Sequence, residues 1–225
     1  MKLLVSVRTV AEATVAAAEG AHFIDLKEPR AGALGGLPVA VIGDIVSALR
    51  ASGCRLPVSA TIGDLPMNDV GAIVAQARAV AACGVDYVKV GIERGDGAAA
   101  VLGALSELPF AVVPVFIADH GLDLELVAAA LHFPGVMADT ADKMSGSLFD
   151  CVPLAELQRF MALASGKPTL VGLAGALRLA HLPQLAALAP DFAGFRSAVC
   201  RGERGSALDG GLLRELARAA AAQRS

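Results

Sequence analysis

Short β-branched runs alternate with Ala/Leu-rich stretches along the whole chain, and that rhythm predicts the fold. The apolar runs fall at about 2–7, 22–27, 58–62, 86–91, 110–116, 135–139, 169–172 and 191–196. Between them the spacing predicts helices near 9–19, 38–52, 67–83, 97–107, 122–132, 153–165, 178–188 and 207–222. Thr9 with Glu12 three residues later matches a capping box, and Gly20, Gly53 and Gly84 stand where helices end in a left-handed residue. Near-continuous apolar strands alternating with helices imply a parallel sheet covered by helices. Eight such units in 225 residues predict a single α/β domain spanning 1–225, an eight-stranded parallel (β/α)8 TIM barrel. A doubly wound open sheet is the competing plan, but eight strands over-fill it and no G-x-G-x-x-G follows the first strand. No Pro- or Ser-rich linker divides the chain, and the Gly-rich segment 28–38 after the second strand is expected to act as a lid.

Composition narrows the partners. Hydrophobic residues make up 55% and charged residues 18%, enough apolar material for a sizeable core. The net charge of -3 is dispersed with no basic block, which argues against a nucleic-acid partner. The first residues imitate a signal peptide, but Arg8 and Glu12 break the run, and no apolar stretch is long enough to span a bilayer. A soluble cytoplasmic protein without membrane contact is expected. Cys54, Cys83, Cys151 and Cys200 are far apart, with neither a C-x-x-C pair nor His at metal spacing, and read as small core residues of a reducing compartment. Neither metal nor cofactor is expected. The Ala-rich outer helices would permit close packing in a homo-oligomer.

Chemistry enters with the polar residues, which gather at the C-terminal ends of the strands, where barrels of this class carry their sites. Ser6 ends the first strand, Asp25 and Lys27 the second, and Ser59, Thr61 and Asp64 the third. Lys89 and Glu93 mark the fourth, Asp119 and His120 the fifth, Asp139 and Lys143 the sixth. A period of two places Asp25 and Lys27 on the inward face and sends Ile24 and Leu26 to the helices; Lys89 likewise opposes Val88 and Val90. Ammonium groups in an apolar interior are costly unless paired, and loss of water favours the neutral amine, which can attack a carbonyl or take a proton. A lone barrel lysine is more often half of a structural ion pair. Three lysines with Asp25, Asp119 and Asp139, all at strand ends, shift the reading toward catalysis, with His120 a candidate acid or base. His22 at a strand start, and His132 and His181 on helices, read as structural.

The last two strands carry another signal. The run 172–177 (GLAGAL) follows strand seven, and 194–200 (GFRSAVC) spans the end of strand eight. Loops at these places commonly hold a phosphate against backbone N–H groups. Gly172, Ala174, Gly175 and Ser197 are candidate phosphate ligands, with Arg196 or Arg201 supplying a fork of donors and Ser6 and Thr61 completing the pocket. Interior amines beside such loops predict a small phosphorylated carbonyl substrate.

The runs LLVSV, FIDLKEPRAGALGG, PVSATIGDLP, DYVKVG, DTADK…SLFD, GLAGAL, HLPQL and GFRSAVC, in order from Met1 to about Asp209, resemble the (5-formylfuran-3-yl)methyl phosphate synthase family of methanofuran biosynthesis. The resemblance implies a barrel lyase that condenses two molecules of glyceraldehyde 3-phosphate to a furan aldehyde phosphate, releasing phosphate and water. It places the Schiff base on Lys27 and proton transfer on Lys89. Asp25, Asp139 and Lys143 occupy other motif positions, with Asp119 and His120 in a looser match. The sequence departs at Ser197, where the family is expected to favour Gly. The same lysines could also serve a class I aldolase or a triose-phosphate isomerase-like enzyme, and a noncatalytic phosphate-binding barrel is a third reading.

Overall fold

The computed structural model describes residues 1–32, 34–142 and 146–223. Eight parallel strands pair in chain order and close, β8 returning to β1. They are β1 (Lys2–Val7), β2 (Phe23–Leu26), β3 (Val58–Thr61), β4 (Tyr87–Ile92), β5 (Val112–Ile117), β6 (Gly135–Asp139), β7 (Leu170–Leu173) and β8 (Phe192–Phe195). The helices between them are α1 (Val10–Ala18), α2 (Val39–Ala51), α3 (Val70–Ala81), α4 (Ala98–Ser106) and α5 (Leu124–Ala129). The last four are α6 (Leu148–Cys151), α7 (Leu154–Leu163), α8 (Leu182–Leu188) and α9 (Gly210–Ala222). This is the expected TIM barrel. It departs from the expected elements at α5, which is shorter, and at α6, a single extra turn. Among the described residues no helix is long and apolar enough to cross a membrane.

The two sequence periods sort the apolar residues into two cores. In α2, Ile42, Ile45, Val46 and Leu49 recur at helical spacing and are buried against the sheet with the outward residues Ile24, Leu26, Val58 and Ala60. The inward residues Leu4, Phe23, Val113, Val115, Met137, Ala174 and Phe192 form a separate cluster inside the barrel. Its floor is aromatic: the Phe23 and Phe192 rings lie 5.6 Å apart, tilted by 49°. Gly172 belongs to this floor, because a Cβ there would come within 2.2 Å of the Phe192 ring. The strand-seven glycine therefore makes room for an aromatic ring.

Polar residues take over above that cluster. Across the first three strands Ser6 aligns with Asp25, and Asp25 with Ser59; on the next row Thr61 aligns with Lys89. In the segment 28–38, expected as a lid, the described residues Leu34 and Gly35 are docked. Leu34 is buried in the interior cluster, its N–H donates to Asp64 at 2.9 Å, and Thr61 Oγ1 donates to the Gly35 carbonyl at 3.0 Å. Leu34 and Gly35 thus pack over β3 and β4, where Leu34 lies beside Gly91.

Candidate active site

Two buried ion pairs lie at the top of the barrel. Lys27 is one residue beyond β2, its N–H still bonded to the Val7 carbonyl at 3.1 Å, so the inward alternation carries through it. Its Nζ donates to Asp139 Oδ2 at 3.2 Å, at the end of β6. Lys89, from β4, donates to Asp25 Oδ1 at 3.0 Å. All four side chains are almost fully buried, and all four line a single cleft. Removing charges from water is costly, so each ammonium carries its own carboxylate.

The carboxylates are themselves fixed. Asp25 Oδ1 also accepts from Ser59 Oγ at 2.7 Å, and Oδ2 accepts from Ser6 Oγ at 3.0 Å. Four adjacent strands thus determine the place of the Asp25–Lys89 pair. Asp139 Oδ1 accepts from the Thr140 N–H at 2.8 Å, which turns Oδ2 toward Lys27. An amine held against a carboxylate at this distance has a ready acceptor for the proton it must lose before attacking a carbonyl.

The other wall of the cleft comes from the loops after β7 and β8. Ala174, Gly175, Ala176, Gly194 and Ser197 line it. Gly175 has a φ of +119°, and Ala176 follows at +45°, a conformation an alanine rarely holds. Gly175 is also pressed against Thr140, where a Cβ would lie 2.9 Å from the hydroxyl. Among the described residues the main-chain N–H groups of Gly175, Ala176 and Ser197 donate to no protein acceptor.

Not every expected site residue belongs here. Thr61 is buried beneath the docked loop and Gly172 lies in the floor, both outside the cleft lining. Arg196 reaches the cleft, but its five N–H groups are all engaged. Nε donates to the Arg204 carbonyl at 2.9 Å; Nη1 donates to the Ser6 carbonyl at 3.0 Å and Glu12 Oε2 at 2.7 Å; Nη2 donates to Glu12 Oε1 at 3.0 Å and the Ser206 carbonyl at 2.6 Å. Its fork fastens the loop after β8 onto β1 and α1. Arg201 is exposed and paired with Asp209.

Asp119 accepts from the N–H groups of Ala141 and, at 2.8 Å, Asp142, and so fixes the start of the loop after β6. With His120 it lines a neighbouring depression, apart from the lysine cleft. The His120 carbonyl accepts from Arg94 at 2.9 Å and its side chain is exposed. Lys143 lies outside the described residues. Among those described, no three His, Cys, Asp or Glu side chains are arranged to hold a metal ion.

Two residues that sequence reasoning left out of the site are Ser59 and Arg204. Ser59 was findable, since strand register sets it beside Asp25. Arg204 lines the cleft from the loop after β8, where no periodicity points. Burial pulls its pKa below the ordinary arginine value, as does the charge of Arg196, while Asp139 and Glu28 act in the opposite sense.

The family model described as 4-HFC-P synthase matches residues 3–217. A (5-formylfuran-3-yl)methyl phosphate synthase of Archaeoglobus fulgidus is 36% identical over 92% of this chain and 93% of its own length. One from Methanosarcina acetivorans is 34% identical over 96% and 97%. Among solved structures, phosphoribosyl anthranilate isomerase from Thermus thermophilus superposes with a TM-score of 0.72 at 18% identity, covering 99% of both chains. The 3-hexulose-6-phosphate synthase of Salmonella typhimurium gives 0.68 at 16% identity, covering 99% of this chain and all of its own. These structures share the barrel fold. The sequence relatives go further: the chain is an enzyme of the (5-formylfuran-3-yl)methyl phosphate synthase family.

Proposed function

We propose that the enzyme condenses two molecules of glyceraldehyde 3-phosphate to (5-formylfuran-3-yl)methyl phosphate through a Schiff base on Lys27, supplying the furan of methanofuran. The observation that carries this reading is the pair of buried amines in one cleft, each with its own carboxylate. Such an arrangement separates a nucleophile from a proton carrier.

One triose phosphate, as its dihydroxyacetone tautomer, loses its carbonyl oxygen as water when the Lys27 amine forms the iminium; Asp139 takes the proton the amine sheds. Lys89 removes the C2 proton of the second triose, still glyceraldehyde 3-phosphate, and its C3 phosphate leaves as inorganic phosphate to give a three-carbon enol. The C3 carbon of that enol bonds to the iminium carbon while the iminium π electrons move to nitrogen, which builds the branched skeleton of the product. The free hydroxyl of the first triose closes the ring on the neighbouring ketone, and loss of one water and of the Lys27 amine leaves the furan. Atoms balance as two triose phosphates giving one furan aldehyde phosphate, one inorganic phosphate and two waters. The iminium is the electron sink. Asp25 holds Lys89 in place, and Lys143, the third lysine of the motif, would add positive charge for two anionic substrates.

The test combines product and enzyme analysis. Incubation with glyceraldehyde 3-phosphate should release inorganic phosphate and develop a furan absorbance. Borohydride during turnover should add the mass of a reduced adduct to the peptide containing Lys27. Trapping that persists unchanged in Lys27→Ala would remove the nucleophile assigned here. A reversible aldol or isomer formed without phosphate release would identify an aldolase or isomerase instead.

A further inference from the structure

Among the described residues the cleft presents four cations: Lys27, Lys89, Arg196 and Arg204. Three are committed. The two lysines are bound to Asp139 and Asp25, and every donor of Arg196 is engaged by Glu12 or a main-chain carbonyl. The Arg204 guanidinium, by contrast, makes no hydrogen bond or ion pair among the described residues, although it is partly buried. A half-buried guanidinium with no hydrogen-bonding partner keeps its donors available to a ligand.

Three consecutive carbonyls starting at Arg204 are gripped by arginines: those of Arg204 and Ser206 by Arg196, and that of Gly205 by Arg30 Nη2 at 3.2 Å. Arg196 is in turn anchored by both carboxylate oxygens of Glu12 on α1. The loop is therefore fixed at Arg204 and over the two residues that follow it, while the Arg204 side chain reaches the cleft. Gly175, Ala176 and Ser197, whose N–H groups are unengaged, line the same cleft.

We infer that Arg204 binds the phosphate of the triose whose carbonyl meets Lys27, with the backbone N–H groups after β7 and β8 as its other donors, and that Glu12 and Arg196 position it. This rests on the substrate class in the proposed function. A planar guanidinium gives a phosphate two parallel charge-assisted bonds, which fixes orientation as well as affinity. Lys27 then stays available for the carbonyl end of the same molecule.

Glycerol 3-phosphate, which carries the phosphate but no carbonyl, isolates this contact from the chemistry. Calorimetric titration should show it binding the wild-type protein well ahead of glycerol. Arg204→Ala should weaken it about 10- to 100-fold, the range expected for lost hydrogen bonds to a charged group. Arg204→Lys should retain part of the affinity, and Arg159→Ala, an exposed charge on α7, should change nothing. In turnover, Arg204→Ala should raise KM for glyceraldehyde 3-phosphate more than it lowers kcat, and added guanidinium ion should restore part of the loss. Equal binding by wild type and Arg204→Ala, or no preference of the wild type for glycerol 3-phosphate over glycerol, would overturn the assignment. Arg204-dependent binding without furan formation would instead leave it standing and reject the proposed reaction.

Discussion

Asp25 gathers donors from three other strands: Ser6 on β1, Ser59 on β3 and Lys89 on β4. Removing it leaves a buried ammonium with nothing opposite. Asp25→Ala should therefore cost about 3–5 kcal/mol, read from urea unfolding. The double variant Asp25→Leu with Lys89→Met should regain most of that stability, because a well-packed apolar pair does without the desolvation of charge. It should nevertheless fail to turn over, so that stability and catalysis part company at this pair. These residues were legible in the sequence because strand alternation and position at a strand end together define an inward-facing site. Thr61 satisfied the same rule, yet its hydroxyl is taken by the Gly35 carbonyl. Alternation states where a side chain points, and a docked loop decides what it meets.

Elements are joined by Glu12. Thr9 caps α1 through the Glu12 N–H at 3.2 Å, as the capping box predicts. The other half of the box is diverted: the Glu12 carboxylate accepts from Arg196 and from the Arg8 N–H at 2.8 Å. Burial alone would raise the pKa of Glu12, but Arg196 and the N–H donors of Arg8 and Leu208 outweigh it and hold the value below 4.5. A carboxylate whose folded pKa is depressed adds stability above its unfolded pKa and loses it as pH falls through the folded value. Glu12→Gln should thus be less stable than wild type at pH 7 by about 1.5–3 kcal/mol. The gap should shrink as pH drops below 4.5, and a constant gap across thermal melts from pH 7 to 3 would count against this account. The helix start was legible from local sequence. The clamp was not, since its partners lie 184 positions apart and neither belongs to a periodic pattern.

The whole molecule is organised by layers, with an aromatic floor, aliphatic side chains above it and charge at the mouth. The floor tolerates no extra atom at Gly172, which faces the Phe192 ring. Gly172→Ala should overpack this layer and cost about 1–3 kcal/mol, visible as a lowered Tm. Phe192→Leu in the same chain should recover part of the loss. Barrel closure was legible because eight strand–helix units of similar length fill the sequence. Arg204 was not, because its place depends on the closed ring bringing the end of β8 beside β1 and β2.

The two ion pairs differ in where their members originate. Asp25 and Lys89 both come from the first four strands, whereas Lys27 must wait for Asp139, 112 positions later. Lys27 is thus a seam between the halves of the molecule. A chain ending after β4 would carry both members of the Asp25–Lys89 pair but not the carboxylate that faces Lys27, so the second buried pair exists only once the sixth strand is made.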